Sequence, residues 1–553
     1  MIYPLKFVLP SFLWFIPILV NGQDQDNADT LSENAYYQKA FQFKKSAQYD
    51  SSFYYFEKAE ADFRTEGNWG GIVQCRYGIG GIYTDMGNYR KAEEVLLNAL
   101  HTGYTHLDSI HIAIADAHAI LAYNYSQMPK LREAEKQYLT ALDIFERLLG
   151  EESVPVGNAY AGLGGVYSLM KDANLKAIEV LLKSIEIFKK TDRENSLEMA
   201  QSYNELANVY HQEEQLDKAI EFHQKSLAIK QKVLRENHPE IGVSYYNLAQ
   251  AYLGKGDLEK AITYYKSTLF IDIATFGKEH RWVAEDYSNI GQCYHIKGSY
   301  ELAMQYARKA SDILRTTYGE NDFRVARSYN TIGVNHYAMQ QYEQAISNYE
   351  KALATLGQLP EKNISVDIAN TTALGHNRLG LSLTRLGKYE AAIDHHRQAL
   401  TLYKDLFNEQ HSEVGRTYMY MGDSYMFSQQ YASALSYYQQ ALSVLQHSLG
   451  ENHPEVAECF SKIGKVYLHE EAYDQALSHY QQALKGFAND YKVTDIYKHP
   501  VIPAGGLTPV VLNIMDGKAL ALKGKYQKAQ DLHDLEFSFH TSLLAANLID
   551  TLR

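Results

Sequence analysis

An all-α stack of paired helices is the fold class that this 553-residue sequence predicts. Three observations carry that reading. A tyrosine returns at an almost constant interval, a pair of one apolar and one small residue precedes each return, and no segment sustains the period-two alternation of a strand. A chain of this length is too long for one ordinary core, so several domains or a repeat array is expected. The self-similarity selects the array.

The tyrosine stands at Tyr83, Tyr125, Tyr167, Tyr210, Tyr252 and Tyr294, and again at Tyr425 and Tyr467, at intervals of 42 or 43 residues within each run. His336 and Leu383 fill the slot between the runs, and the unit ending at Leu383 is 47 residues long. Three or four residues earlier come Ile79-Gly80, Leu121-Ala122, Leu163-Gly164, Leu206-Ala207, Leu248-Ala249, Ile290-Gly291, Ile332-Gly333, Leu379-Gly380, Met421-Gly422 and Ile463-Gly464. A second half follows each tyrosine, opened by pairs such as Lys91-Ala92, Lys218-Ala219, Lys260-Ala261, Gln344-Ala345 and Gln475-Ala476. In Ala434, Tyr438 and Ala441 the spacings of four and seven put the side chains on one helical face. Short turns such as Gly256-Asp257 and Gly298-Ser299 separate the halves. The unit is therefore helix A, turn, helix B. The small residue of helix A lets helix B cross closely, and the tyrosine fills the space beside the crossing. One hairpin cannot bury these faces alone, so stability resides in the stacking of neighbours.

The run Tyr418-x-x-Met421-Gly422-x-x-Tyr425 with Ala434, Tyr438 and Ala441 resembles the tetratricopeptide repeat consensus, with Tyr in place of the usual Trp. The period exceeds the usual 34 residues, and the extra length falls at the end of helix B and in the linker. Linkers such as Gly450-Glu451-Asn452-His453-Pro454-Glu455, Glu236-Asn237-His238-Pro239-Glu240 and Gly277-Lys278-Glu279-His280 are similar to those of kinesin-light-chain-type repeats. Gly ends helix B, Pro opens the next helix and Glu favours its positive end. The resemblance implies a right-handed superhelical α-solenoid of about 12 hairpins over residues 33–489, beginning with a degenerate hairpin around Tyr49 to Ala59. It also implies a protein-binding role and no catalysis.

The two ends depart from the period. Lys6 followed by the apolar run Phe7 to Val20 reads as a signal peptide over residues 1–22, cut before Gln23, with an uncleaved anchor as the other reading. Residues 23–32 form a polar linker. The stretch is short for a membrane span, and no later segment is long and apolar enough to be one, so an extracytoplasmic protein is expected, periplasmic or secreted. Residues 490–512, with Pro500, Pro503, Gly505-Gly506 and Pro509, read as a linker to a last hairpin over 513–553, helices at Asn513 to Lys523 and Tyr526 to Arg553. The segment Thr494-Asp495-Ile496-Tyr497 resembles the joint between tetratricopeptide arrays and CHAT domains, a caspase-like peptidase class of bacteria. That resemblance implies a second function, the recognition half of a protease system whose catalytic His and Cys lie outside this chain. A sensor feeding a signalling partner is a third.

Composition removes several classes. A net charge of −13 without a basic stripe argues against nucleic acid and against a polybasic membrane surface. Cys75, Cys293 and Cys459 are too far apart in a repeat array to pair, and read as buried thiols. The chain has 21 His, but His469-Glu470-Glu471 lacks the second His of a zinc motif, and the adjacent His395 and His396 point in different directions on a helix. His238, His280, His411 and His453 recur once per linker and read as turn residues, so no metal is expected. The glycines of Gly78-Ile79-Gly80-Gly81 and Gly162-Leu163-Gly164-Gly165 lie inside helices and cradle no phosphate. Gly524-Lys525-Tyr526 lacks the Ser or Thr of such a cradle, and Cys293 and His295 face apart on their helix. No cofactor and no catalytic group is expected.

What remains is the face of the A helices. Asn204, Asn208, Asn247, Gln250, Asn289, Gln292, Asn330 and Asn335, with Tyr246, His211 and His295 between them, are read as the positions left over after packing. A ladder of side-chain amides can donate to and accept from the backbone of an extended peptide. Lys and Arg are nearly absent from that stretch, so a clamp for carboxylates is not expected there. The expected partner is a protein or extended peptide.

Overall fold

The computed structural model describes residues 34–360, 365–487, 495–498 and 508–552. The signal peptide and polar linker read over residues 1–32, and most of the linker read over 490–512, lie outside the described residues. Among the described residues every regular element is an α-helix, and none is long and apolar enough to cross a membrane. Two compact units divide after Lys278, and each contains six helical hairpins.

In the first unit the hairpins are α1 (Ala35–Lys45) with α2 (Tyr49–Glu66), α3 (Trp69–Asp85) with α4 (Tyr89–His106), and α5 (Ile112–Gln127) with α6 (Leu131–Leu149). They continue with α7 (Val154–Leu169) and α8 (Asn174–Lys190), α9 (Leu197–Gln212) and α10 (Leu216–Val233), and α11 (Pro239–Lys255) and α12 (Leu258–Phe276). The second unit has α13 (Arg281–Ile296) with α14 (Tyr300–Tyr318), α15 (Phe323–Ala338) with α16 (Tyr342–Gly357), and α17 (Val366–Arg385) with α18 (Tyr389–Leu406). It ends with α19 (Ser412–Phe427) and α20 (Tyr431–Leu449), α21 (Pro454–His469) and α22 (Tyr473–Lys485), and α23 (Pro509–Ala529) and α24 (Leu532–Leu552).

Each slot of the repeat has a mechanical role. A Cβ at Gly80 or Gly164 would stand 2.6 Å or 2.5 Å from the side chains of Leu96 and Leu181 on helix B, and one at Gly333 or Gly422 would stand 2.5 Å from the rings of Tyr349 and Tyr438. The recurrent tyrosine lies flat on an aromatic of helix B: Tyr210 on Phe222, Tyr252 on Tyr264, Tyr294 on Tyr306 and Tyr425 on Tyr437, with centroids 5.2–5.6 Å apart. The lysine that opens helix B covers the other part of the ring, as in Lys91 over Tyr83 and Lys218 over Tyr210. The linker histidines are N-caps. Nδ1 of His238, His280, His411 and His453 accepts the backbone N–H two residues on, at 3.2–3.3 Å. Cys75, Cys293 and Cys459 are buried and unpaired.

Two boundaries differ from the sequence reading. The 47-residue unit lengthens its A helix, α17, to 20 residues, where α15 and α19 have 16. In the last hairpin α23 starts at Pro509 and runs unbroken through Gly524 to Ala529. Gly524 and Gly517 are crossing glycines, facing the rings of Tyr473 and Tyr480 on α22. The described segment 495–498 is tied to this hairpin. The Tyr497 hydroxyl donates to Asp534 Oδ1 at 2.6 Å, and the buried Lys518 donates to the Lys498 carbonyl at 3.2 Å.

Candidate functional site

In the first unit the structure places Asn204 and Asn208 on α9 and Tyr246, Asn247 and Gln250 on α11. Asn204, Asn208, Tyr246 and Asn247 are buried, and only Gln250 is half-exposed. Asn247 Nδ2 donates to Asn204 Oδ1 at 2.9 Å, from one A helix to the next. Tyr246 packs edge-on against Tyr265, and Gln250 Nε2 donates to the Tyr246 hydroxyl at 3.1 Å. Asn208 Nδ2 reaches Glu205 Oε2 at 3.4 Å. In the second unit Asn289, Asn330 and Asn335 are buried and Gln292 is half-exposed. Asn335 Oδ1 accepts from His295 Nδ1 at 2.9 Å, again between successive A helices.

The expectation that these side chains are left over after packing is therefore corrected for Asn204, Asn208, Tyr246, Asn247, Asn289, Asn330 and Asn335. Six of the seven are amides, and a buried amide calls for partners. Asn204 with Asn247 and Asn335 with His295 serve the seams between repeats, whereas Asn208 turns to Glu205 on its own helix. The same seam is seen elsewhere within each unit: Thr84 with Asn124 at 3.1 Å, Asn377 with Thr417 at 2.8 Å, and Thr384 with Ser424 at 2.7 Å. At Asn330 the seam is broken. Both amide atoms lack a partner among the described residues, because Gly375 occupies the slot that Thr417 fills one repeat later.

Besides Gln250 and Gln292, other polar groups stay half-exposed on the A helices. On α9 they are Gln201 and Glu205, joined by a 2.5 Å hydrogen bond from Gln201 Nε2. Burial raises the Glu205 carboxyl above its usual range, and the Asn208 hydrogen bond opposes the rise. In the second unit Arg378, Arg416 and Lys462 occupy this face. Arg416 is held by Glu455 and Glu413, and Lys462 by Asp423 at 2.8 Å and Glu458 at 3.4 Å. Arg378 has no ion-pair partner among the described residues. Cations are thus present on the A helices, beyond the stretch from Asn204 to Asn335. The sequence signal for them was the helix A register itself, carried two repeats further.

His395 and His396 do point apart. His396, fully buried, meets Asn377 Oδ1 through Nδ1 at 2.9 Å, whereas His395 turns to His376 on the neighbouring helix. Among the described residues no three His, Cys, Asp or Glu side chains gather as a metal would need for a full set.

A family comparison decides the class: the tetratricopeptide repeat matches residues 114–190, 198–272, 255–316, 282–358 and 413–489, more than half of the chain. The chain is a tetratricopeptide repeat protein. Further repeat matches cover 377–413 and 73–100. Among curated proteins none matches. Among solved structures the tetratricopeptide repeat chain is similar to BtubC (BKLC) from P. vanneervenii, at 22% identity over 43% of this chain and 93% of that one, with a TM-score of 0.37. It is similar to a kinesin light chain with nearly identical repeats from Podosopora anserina, at 21% identity over 37% and 96%, TM-score 0.33. It is also similar to aspartyl phosphate phosphatase F from Bacillus subtilis, at 15% identity over 69% and 95%, TM-score 0.42.

Proposed function

We propose that this tetratricopeptide repeat protein is an exported, non-catalytic scaffold that holds a partner protein against its A helices. The observation that supports the reading most is what the packing leaves over. Within each unit the hairpins use their apolar and amide slots on one another, and still present half-exposed polar groups at recurring A-helix positions. In the first unit these are Gln201, Glu205 and Gln250, and in the second Gln292 and Arg378. Such groups suit an extended peptide, whose backbone offers N–H and C=O groups to amides and whose side chains meet the charged positions. Each hydrogen bond of this kind contributes about 0.5–1.5 kcal/mol net, so no single contact dominates.

The test is a pull-down from the extracytoplasmic fraction with the mature chain, followed by titration of the captured partner. Gln201→Ala with Gln250→Ala should weaken binding several-fold and leave the helical content unchanged. Binding indifferent to that pair, to Gln292→Ala and to Arg378→Ala would place the partner on another surface. Export is tested separately, by mass spectrometry of the secreted or periplasmic chain: it should begin at Gln23, and an intact Met1 there would remove the signal-peptide reading.

A further inference from the structure

Four hairpins from α9 onward repeat one pairing of Tyr with Tyr or Phe between their two helices. The hairpin of α21 and α22 pairs Phe460 with His479 at 6.2 Å, and one hairpin places an imidazole at both positions. Tyr203 pairs with Phe222, Tyr245 with Tyr264, Tyr287 with Tyr306 and Tyr418 with Tyr437, at centroid distances of 5.8–6.2 Å. In the hairpin of α17 and α18 the same two positions carry His376 and His395, closer together at 5.3 Å. Their Nδ1 atoms face one another at 3.0 Å. Packing alone would be served by the tyrosines used elsewhere. The contact is a hydrogen bond in which one Nδ1 donates and the other accepts. Once that proton moves to the Nε2 of its ring, each Nδ1 offers a lone pair to a shared ion, which tyrosines do not.

We propose that His376 and His395 form a binding site for a divalent transition-metal ion that prefers imidazole, Cu(II) first. The spacing selects the metal. With metal–nitrogen bonds of about 2.0–2.1 Å, two nitrogens 3.0 Å apart subtend about 94° at the metal. That is the cis angle of the tetragonal geometry favoured by Cu(II) and Ni(II). A tetrahedral Zn(II) would ask for about 3.3 Å at the same bond lengths. Both rings are half-exposed, so water can complete the coordination, as it must where no third protein ligand is at hand among the described residues. The Glu350 and Asp394 carboxylates add a negative field at the His395 ring. Burial holds both rings below the usual histidine range, His376 at about 4, and a neutral imidazole is the form that binds a metal.

The experiment titrates the full chain with Cu(II) and then Zn(II), following heat and, for Cu(II), the electron paramagnetic resonance spectrum. The expected result is one Cu(II) equivalent with nitrogen coupling in its spectrum, bound at least tenfold more tightly than Zn(II). The comparison variant is His376→Tyr with His395→Tyr, which copies the Tyr418 and Tyr437 pair and so should keep the hairpin folded. It should lose that equivalent, with affinity falling at least tenfold, while circular dichroism stays unchanged. His376→Ala serves if the double variant misfolds. Wild type without such an equivalent, or a folded variant that keeps it with the same spectrum, overturns the assignment.

Discussion

A single methyl group at Gly422 tests the crossing on which every hairpin depends. The Cβ of Gly422→Ala would lie 2.5 Å from Tyr438 Cε1, 2.6 Å from Cδ1 and 3.1 Å from Cζ. Comfortable carbon contacts are about 3.5–4.0 Å, so the ring must retreat by about 1 Å. It is not free to do so. Its hydroxyl donates to Asp423 Oδ1 at 2.7 Å, and Asp423 is itself held by Lys462 at 2.8 Å. Overpacking of this kind costs about 1–3 kcal/mol, and the better helix propensity of Ala returns about 1 kcal/mol. The net loss is then up to about 2 kcal/mol, and Gly422→Leu should exceed it. Gly357 is the control: it is helical, and nothing lies within 4 Å of a Cβ placed there. Gly357→Ala should therefore be neutral or gain up to about 1 kcal/mol from propensity alone. Because arrays of this length melt in sections, the assay is hydrogen exchange read locally over α15–α16 and α19–α20. Tyr438→Phe cuts the tether, so its cost combined with Gly422→Ala should be less than additive. Equal effects at Gly422 and Gly357, or strict additivity with Tyr438→Phe, would refute the crossing argument.

The seams and the buried histidines give further tests. Asn247→Ala strands the Asn204 carbonyl and should cost about 1–3 kcal/mol, whereas Asn330→Leu removes an amide that has no partner and should be neutral or stabilising in a urea titration. His223 and His396 are buried with pKa values of about 3, because burial disfavours the imidazolium. In the unfolded chain each takes a proton near the ordinary 6.5, so stability should fall as pH drops below about 6.5. The slope is about 1.4 kcal/mol per pH unit for each histidine, down to the folded value. Asp116, raised to about 7 by burial, acts oppositely between its ordinary value and neutrality. Melting temperatures from pH 7 to pH 4.5 should therefore decline overall in wild type and decline less in His223→Phe, and an unchanged slope in that variant would exclude His223 as a contributor.

The sequence made some parts of this architecture legible and hid others for a physical reason. Slots that act within one hairpin recur at short spacings, so the close crossing at Gly422 and the tyrosine beside it, Tyr425, could be read directly. Partners between successive A helices lie 40 or more residues apart, and no local pattern connects Asn204 with Asn247. An amide on a helix face reads as solvated until its partner is known, which is why the Asn positions were expected outside. The same distance hid the four-residue extension of α23 towards the chain start and its run through Gly524, since Gly517 and Gly524 face Tyr480 and Tyr473 of the preceding hairpin. Of the two histidines only His395 stood out in the sequence, as the neighbour of His396, and only the superposition of helix A and helix B registers brings His376 to it.

The seams also carry information. Stacked hairpins of nearly equal shape could dock on the wrong neighbour during folding, since apolar slots accept one another without preference. Here several joints use different couples: Thr84 with Asn124, Asn204 with Asn247, Asn377 with Thr417, and the Cys459 thiol with the Met419 sulfur, while the couple of Ser184 with Ser202 recurs as Ser311 with Ser328. A hairpin displaced by one position would face the wrong group and bury an unanswered amide or hydroxyl, at about 1–3 kcal/mol for each. The couples that differ work as addresses, and they disfavour the wrong neighbours at those joints.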